Sequence, residues 1–249
     1  MTARLVAGPP EGAVSVPAAV AALAGSSSVE AVWRNELGGV TFAIPGRYVK
    51  WQPAGTGIEP ADEAARLAWA AAYTPVPAVL GSGTDDEGTW LVTAAMPGSS
   101  AVSPRWLAAP AVAARAIGEG LQALHAALPV GPCPFDWGVA ARLARADERR
   151  SGSSSARAGL GAPPPVDRLV VCHGDPCAPN TLLDDAGHWT GHVDLGALGV
   201  ADRWADLAVA TWSLEWNYGP GWDGVLLEAY GVAPDDERTD YYRRLWAAT

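Results

Sequence analysis

The stretch "VVCHGDPCAPNTLLDDAGHWTGHVDLG" at residues 170–196 decides the predicted fold of the chain. Apolar residues over 167–176 predict a buried strand that runs into a loop, because Pro176 and Pro179 prevent a helix from starting there. Residues 187–196 predict a further pair of strands. A loop between short buried strands is a common place for side chains that carry chemistry.

Three polar side chains in this stretch share one kind of ligand atom. Asp175 and Asn180 lie five positions apart in the loop, and Asp194 follows at the end of a predicted strand. Two carboxylates and one amide oxygen suit Mg²⁺ that is also bound by water and phosphate oxygens. The set therefore indicates chemistry on a phosphate group.

Lys50 is the single lysine among the 17 Lys and Arg residues. It lies in "GRYVKWQP" (46–53), which predicts a strand, and the helix predicted over 59–73 follows with acidic residues in its first turn. A lysine on a buried strand needs an anion, and Glu63 on that helix is a plausible partner. Lys50 would then supply a cation for phosphate. A solvated surface lysine is the alternative.

The flanking patterns predict a β-rich first third and a mostly helical remainder. The break is placed at "PGSS", giving a first domain over 1–97 and a second over 98–249. The segment 149–165 is predicted to be flexible from its Gly, Ser and Pro content. The other predicted elements are a helix at 17–24, three strands within 31–53, a hairpin at 78–96, a helical region at 104–128 interrupted at Pro110, and helices at 201–218 and 236–248.

Composition excludes several classes of protein. The net charge of −10 argues against nucleic acid or an anionic membrane as the main partner. No apolar run reaches the roughly 18 residues that span a bilayer. The three cysteines show no repeated pair spacing, which favours a reducing, cytoplasmic location. The chain is expected to act as a monomer.

The pattern H-x-D-x-x-x-x-N followed by D-x-G, with an upstream strand lysine and helix glutamate, resembles the protein-kinase signature set. It more closely resembles the aminoglycoside phosphotransferase family, and "CHGDPCAPN" is most similar to the branch that phosphorylates streptomycin at its 3″-hydroxyl. "DEAARLAW", "WLVTAAMPG" and "CPFDW" also fit that family, over roughly residues 30–230. The resemblance implies an α+β, two-lobed, protein-kinase-like fold, with a small β-rich N-lobe that binds ATP and a larger helical C-lobe.

The resemblance also implies roles for individual residues. Asp175 would orient and deprotonate the drug hydroxyl, Asn180 and Asp194 would hold Mg²⁺, and Lys50 would contact the ATP phosphates while paired with Glu63. The remaining implied nucleotide contacts are the turn at Gly38 and Gly39 and the backbone of Thr93 and Ala95.

The expected acceptor is a small cationic antibiotic. Streptomycin carries guanidinium groups, so carboxylates would complement it, and the candidates are Glu215, Asp223 and Asp240. The final residues "YYRRLWAAT" lack the acids of kanamycin 3′-phosphotransferases, which favours the streptomycin branch. The alternatives are a kinase of the same fold acting at a 3′-hydroxyl or on another small alcohol, and a nucleotide-binding protein without catalysis.

Other polar residues are expected to be structural. His173 is predicted to hold the loop by hydrogen bonds, and Asp202 and Asp206 to cap and anchor the following helix. Cysteine and histidine residues around this loop raise the alternative of a zinc site, but their spacing is unusual for zinc. That set comprises Cys172, His173, Cys177 and His192.

Overall fold

The computed structural model of the protein describes residues 7–149 and 159–249. Most of the segment predicted to be flexible, residues 150–158, therefore lies outside the described residues. The contacts divide the chain into two compact units, Met1–Trp69 with Pro77–Met96 and Ala70–Val76 with Pro97–Thr249. None of the helices in the described part is long and apolar enough to cross a bilayer.

The first unit is a five-stranded antiparallel sheet accompanied by helices. Its strand order is β1-β2-β3-β5-β4, so neighbours in the sheet are mostly neighbours in sequence. The predicted strands and hairpin are confirmed. The elements are α1 Ala18–Ala24, β1 Glu30–Arg34, β2 Val40–Ile44, β3 Arg47–Pro53, α2 Pro60–Ala70, β4 Val79–Thr84 and β5 Gly88–Ala94.

The alternation of buried and partly exposed residues along β2 explains how one face of this sheet packs against α1. Val40, Phe42 and Ile44 point to one face and are buried, while the residues between them are less covered. Val20 and Ala24 of α1 join these three side chains in one apolar cluster. A strand that is apolar every second residue needs such a cover on one face only.

The second unit contains short strands among helices. β7 pairs with β10, and β6, β8 and β9 form a separate three-stranded sheet. The elements are β6 Ser99–Ser100, α3 Pro104–Leu107, α4 Pro110–Ala127, α5 Val139–Arg149, β7 Leu169–Cys172, a 3₁₀ turn Ala178–Asn180, β8 Thr181–Leu183, β9 Trp189–His192, β10 Gly199–Asp202, α6 Trp204–Tyr218, α7 Asp223–Tyr230 and α8 Asp236–Ala248.

The structure corrects the predicted strand pair at 187–196. This segment contains only β9, whose partner is β8, and β10 lies further along and pairs with β7. Strands of three or four residues carry little alternation to read, and β7 and β10 are far apart in sequence. The predicted interruption at Pro110 is confirmed, because this residue begins α4.

Two glycines allow α4 to pack closely on its neighbours. A Cβ atom on Gly118 would lie 2.4 Å from the carbonyl oxygen of Leu226 in α7. A Cβ atom on Gly120 would lie 2.5 Å from the Cδ1 atom of Trp189 in β9. Glycine weakens a helix interior by about 1 kcal/mol relative to alanine, so the close contacts give the physical reason for these two residues.

Candidate active site

The loop that follows β7 carries Asp175 and is held by the side chain of His173. The Nδ1 atom of His173 accepts a hydrogen bond from the Asp175 amide at 3.2 Å, and Nε2 lies 3.1 Å from the carbonyl oxygen of Val193. Since Nδ1 accepts and Nε2 donates, this imidazole is the neutral Nε2–H tautomer. His173 therefore joins the loop to the residue before Asp194, in agreement with its predicted structural role.

Gly174 is required by the path of the loop. Its φ is +86°, and a Cβ atom would lie 2.2 Å from the carbonyl oxygen of Ala197. A side chain at this position would be strained and would also collide with backbone. The contact fixes the residue before Asp175 against the segment that follows Asp194.

Asn180 lies in the 3₁₀ turn and contacts both neighbouring acidic segments. Its side-chain nitrogen donates to the carbonyl oxygen of Asp175 at 2.9 Å. Its own carbonyl oxygen accepts from the amide of Val193 at 3.0 Å. Because the side-chain nitrogen is the donor, the Oδ1 atom is the group that can bind a cation.

Asp194 has an unusual backbone conformation. Its φ is +65°, and among the described residues it is the one non-glycine residue with a positive φ. A non-glycine residue in this region costs of order 1 kcal/mol and is enriched at functional sites. The structure thus places the predicted metal ligand at a strained position directly after Val193.

Two acidic groups interact closely at this site. Burial raises the pKa of the Asp175 carboxyl, and the negative charge of Asp194 raises it further. The Oδ1 atom of Asp175 is buried and has no hydrogen-bond partner among the described residues. A buried acceptor beside a second carboxylate is a favourable environment for a cation and for a hydroxyl donor, so the residues present fit Mg²⁺.

Asp206 of α6 anchors the loop from the other side. Its Oδ2 and Oδ1 atoms accept from the amides of His173 at 2.6 Å and Gly174 at 3.0 Å. His125 of α4 approaches Oδ2 with its Nε2 atom at 2.9 Å. Burial is the largest single influence and acts to raise the pKa of Asp206, but the hydrogen bond from His125, the nearby His125 and His173 rings and the Gly174 amide together outweigh it, so the pKa is lowered.

Asp202 and Asp206, both predicted to cap and anchor the following helix, have different roles in the structure. Asp202, which lies just before the N-cap residue Arg203, accepts from the amide of Trp204 at 3.1 Å and so anchors the start of α6. Asp206 anchors the loop before Asp175 rather than its own helix. His125 was missed, because a histidine on the apolar face of α4 resembles an ordinary core residue and lies 50 positions before Asp175.

In the first unit, the predicted contact between Lys50 and Glu63 is present. The Lys50 Nζ atom lies 2.6 Å from the Glu63 Oε1 atom, and the side chains are 22% and 14% exposed. Lys50 is on β3, between Thr41 of β2 and Leu91 of β5. The central position of β3 and the start of α2 hold the ammonium in one place.

Three of the other residues predicted to contact the nucleotide already have their backbone amides in hydrogen bonds within the protein. The amide of Gly39 donates to the side chain of Asn35 at 2.8 Å, and the amide of Gly38 donates to the Asn35 carbonyl at 3.1 Å. The amide of Ala95 donates to the Gly46 carbonyl at 3.0 Å, while Thr93 of β5 lies opposite Tyr48 of β3 and Val79 of β4. Nucleotide contacts through the amides of Gly38, Gly39 and Ala95 would require these hydrogen bonds to open.

The predicted drug-binding acids differ in their surroundings. Glu215 is exposed on α6. Asp223 lies 3.3 Å from Arg243, and Asp240 lies 3.0 Å from Arg244. Two of the three carboxylates therefore already have an arginine partner, which reduces the negative charge available for a cationic drug.

Two of the four residues of the zinc alternative, Cys172 and His173, form hydrogen bonds with other groups. Cys172 donates to the carbonyl oxygen of Asp202 at 3.4 Å, and both nitrogens of His173 have partners. Within the described residues, the one group of possible metal ligands that lies close together is a different set, His125, Cys172 and Asp206. Because His125 and two backbone amides already donate to Asp206, this set has a structural explanation without a metal.

Comparisons of the sequence with known proteins give one family. Residues 23–243 match the phosphotransferase enzyme family. The chain is 37% identical over 218 positions to an aminoglycoside 3′-phosphotransferase of Streptomyces fradiae, covering 78% of this chain and 81% of the relative. It is 32% identical over 254 positions to a streptomycin 3″-kinase of Streptomyces griseus, covering 86% and 90%.

Solved structures agree with these relatives. A crystal structure of an aminoglycoside 3′-phosphotransferase of type VIII superposes with a TM-score of 0.76 at 32% identity, covering 93% of this chain and 97% of that one. The APH(3″)-Id enzyme of Streptomyces rimosus, solved with ADP and streptomycin, superposes with a TM-score of 0.72 at 26% identity, covering 92% and 96%. The predicted α+β, kinase-like fold is confirmed.

Proposed function

Since the chain belongs to the phosphotransferase enzyme family, we propose that it transfers the γ-phosphoryl group of ATP to a hydroxyl group of an aminoglycoside antibiotic. Such a transfer would protect its host from the drug. The observation that carries the proposal is the connected set formed by Asp175, Asn180 and Asp194, in which His173 and Asn180 join the two acidic segments by hydrogen bonds.

In the proposed reaction, Asp175 accepts a hydrogen bond from the acceptor hydroxyl and takes its proton as the phosphoryl group is transferred. The buried Oδ1 atom, which has no partner among the described residues, is the atom assigned to this contact. A carboxylate whose pKa is raised by burial binds a proton more readily than an exposed one. Orientation of the hydroxyl would contribute as much as the proton transfer itself.

Asn180 and Asp194 are the residues proposed to hold Mg²⁺. When bound, the ion would neutralise phosphate charge, which is the main requirement of phosphoryl transfer. Lys50, fixed by Glu63 at 2.6 Å, is proposed to contact the ATP phosphates. A compact ammonium suits this position because it is a point charge on a slim stem.

The acceptor proposed first is streptomycin at its 3″-hydroxyl. It is supported by the 32% identical streptomycin 3″-kinase. A 3′-hydroxyl of kanamycin or neomycin is the second candidate, favoured by the 37% identical 3′-phosphotransferase. Glu215 remains the proposed contact for a cationic group of the drug, whereas Asp223 and Asp240 would have to exchange their arginine partners.

The test is turnover of MgATP, followed by coupled ADP release, with streptomycin, kanamycin, neomycin and no acceptor. Turnover with streptomycin alone, with the phosphate mapped to the 3″-oxygen, is the expected result. Turnover with kanamycin or neomycin instead would contradict streptomycin as the acceptor and would favour the 3′-hydroxyl. MgATP binding without turnover on any acceptor would support the alternative of a nucleotide-binding protein without catalysis.

Replacement of Lys50 tests the nucleotide side of the proposal. We expect Lys50→Ala to raise the KM for ATP, to lower kcat by about tenfold or more, or to do both, because a charge-assisted contact to phosphate is lost. Lys50→Arg should recover only part of the activity, because a planar guanidinium replaces a compact charge. Steady-state kinetics with varied ATP measure the effect, and full activity of Lys50→Arg would contradict the assigned contact.

A further inference from the structure

Three buried side chains form a continuous line of hydrogen bonds that ends at the loop before Asp175. The Tyr230 hydroxyl lies 2.8 Å from His125 Nδ1, and His125 Nε2 lies 2.9 Å from Asp206 Oδ2. All three residues are buried: Tyr230 and His125 are each 6% exposed, and Asp206 is 0% exposed. Asp206 then accepts from the amides of His173 and Gly174.

The direction of each hydrogen bond follows from the groups present. The pKa of Asp206 is lowered, so its carboxylate only accepts, and His125 Nε2 must carry a hydrogen. Burial raises the pKa of Tyr230 to about 12, so its hydroxyl keeps its hydrogen at neutral pH. A neutral His125 ring with its hydrogen on Nε2 presents Nδ1 as an acceptor, and the Tyr230 hydroxyl 2.8 Å away is the donor that faces it.

The helix packing explains how Tyr230 reaches His125. Gly118 lets α4 approach the carbonyl oxygen of Leu226 in α7, one turn before Tyr230. His125 lies two turns after Gly118 on the buried face of α4. Gly231 ends α7 in the left-handed conformation with a φ of +86°, directly after Tyr230.

We propose that Tyr230 is a positioning residue for the catalytic loop, acting through His125 and Asp206. Its hydroxyl holds His125 as the neutral Nε2–H tautomer, which presents one fixed donor to Asp206. Asp206 then keeps both of its oxygens directed at the amides of His173 and Gly174. Because Asp175 is the next residue in the chain, its position is fixed as well. This inference rests on the proposed role of Asp175 in phosphoryl transfer.

The test compares Tyr230→Phe with Tyr241→Phe. Both variants remove one hydroxyl from a buried tyrosine, but the Tyr241 hydroxyl has no hydrogen-bond partner among the described residues. We expect Tyr230→Phe to lower kcat about tenfold with both KM values within about twofold, because the loop is displaced while the binding groups remain. Tyr241→Phe should match the unchanged protein. Equal kcat for the two variants would overturn the proposal.

A second measurement does not depend on turnover. The ¹⁵N resonances of His125 should show the neutral Nε2–H tautomer, and Tyr230→Phe should shift the amide resonances of His173 and Gly174 while Tyr241→Phe leaves them in place. An Nδ1–H tautomer, or unshifted amides in Tyr230→Phe, would overturn the proposal. If the unchanged protein phosphorylates none of the drugs, the proposed function fails and these resonances still decide the role of Tyr230.

A third comparison covers the case in which Tyr230→Phe does not fold. His125→Gln retains a side-chain amide that can donate to Asp206 and accept from Tyr230, whereas His125→Leu retains neither group. We expect His125→Gln to keep at least about tenfold more of the kcat than His125→Leu. Equal kcat values for the two would overturn the proposal.

Discussion

Asp175→Asn is expected to lower kcat by about 10³-fold while the affinity for MgATP changes little. General-base groups typically contribute 10²- to 10⁴-fold, and the amide can neither take the proton nor provide a negative charge for the hydroxyl. The substitution keeps the size of the side chain, and the Asp175 backbone bonds to His173 and Asn180 do not involve the carboxylate. The loss should therefore appear in the chemical step rather than in folding.

The measurement is steady-state turnover with the preferred drug, together with the MgATP-dependent rise in Tm, which reports nucleotide binding to the folded state. Asp185→Asn provides a matched control, because Asp185 is an exposed acid that lies 3.2 Å from Arg105 on the surface. The control should keep its kcat. Near-normal turnover of Asp175→Asn would remove this carboxylate from the mechanism.

The sequence indicates that the residues of the proposed site lie near one another, because they are close together along the chain. Asp175, Asn180 and Asp194 lie within 20 positions, and a loop broken by prolines between two strands brings such residues together. Lys50 and Glu63 are also predictable as a pair, since a strand lysine needs an anion and the next helix offers one. The structure places that pair at 2.6 Å.

The support of the loop is not predictable in the same way. His125 and Tyr230 reach Asp206 from helices 81 and 24 positions away in sequence. His125 lies in a predicted helical region and Tyr230 lies outside every predicted helix, and no pattern in the sequence reveals which polar groups meet in the core. Tertiary packing of α4 against α7 decides it, through the close approach at Gly118.

Among the acids proposed to bind the drug, one ion pair was predictable from the sequence and another was not. The pairing of Asp240 with Arg244 follows from the spacing i, i+4 on a predicted helix and was available from the sequence. The pairing of Asp223 with Arg243 joins residues that lie 20 positions apart on two different helices, and the sequence did not predict it. At the Gly38 and Gly39 turn, Asn35 takes the amides by a local side-chain bond, which is a frequent property of asparagine in turns.

Asp206→Asn is expected to lower the free energy of unfolding by about 3 kcal/mol or more at neutral pH, and to lower kcat as well. Asp206 is fully buried and accepts from three donors, which are two backbone amides and His125. An amide side chain has one oxygen and one NH₂ group, so at least one donor must face another donor. Leaving a buried donor unpaired costs about 1–3 kcal/mol, and the bonds that remain lose the extra strength that a charged acceptor gives them.

The dependence of this loss on pH separates a charge effect from a packing effect. The pKa of Asp206 is lower in the folded protein than in the unfolded chain. Its stabilising contribution is therefore fully present above the unfolded pKa of about 4 and is lost as the pH falls through the folded value. We expect urea unfolding to show a large difference between Asp206→Asn and the unchanged protein at pH 7, and a smaller one below pH 4.

Asp185→Asn again serves as the control, because it removes an acid of the same type at an exposed position. Its free energy of unfolding should stay within about 0.5 kcal/mol of the unchanged protein at both pH values. If Asp206→Asn lost the same stability at pH 7 and below pH 4, the ionised carboxylate would not be what holds the loop. In that case shape alone would keep His173 and Gly174 in place, and Tyr230 would have no charged acceptor through which to act.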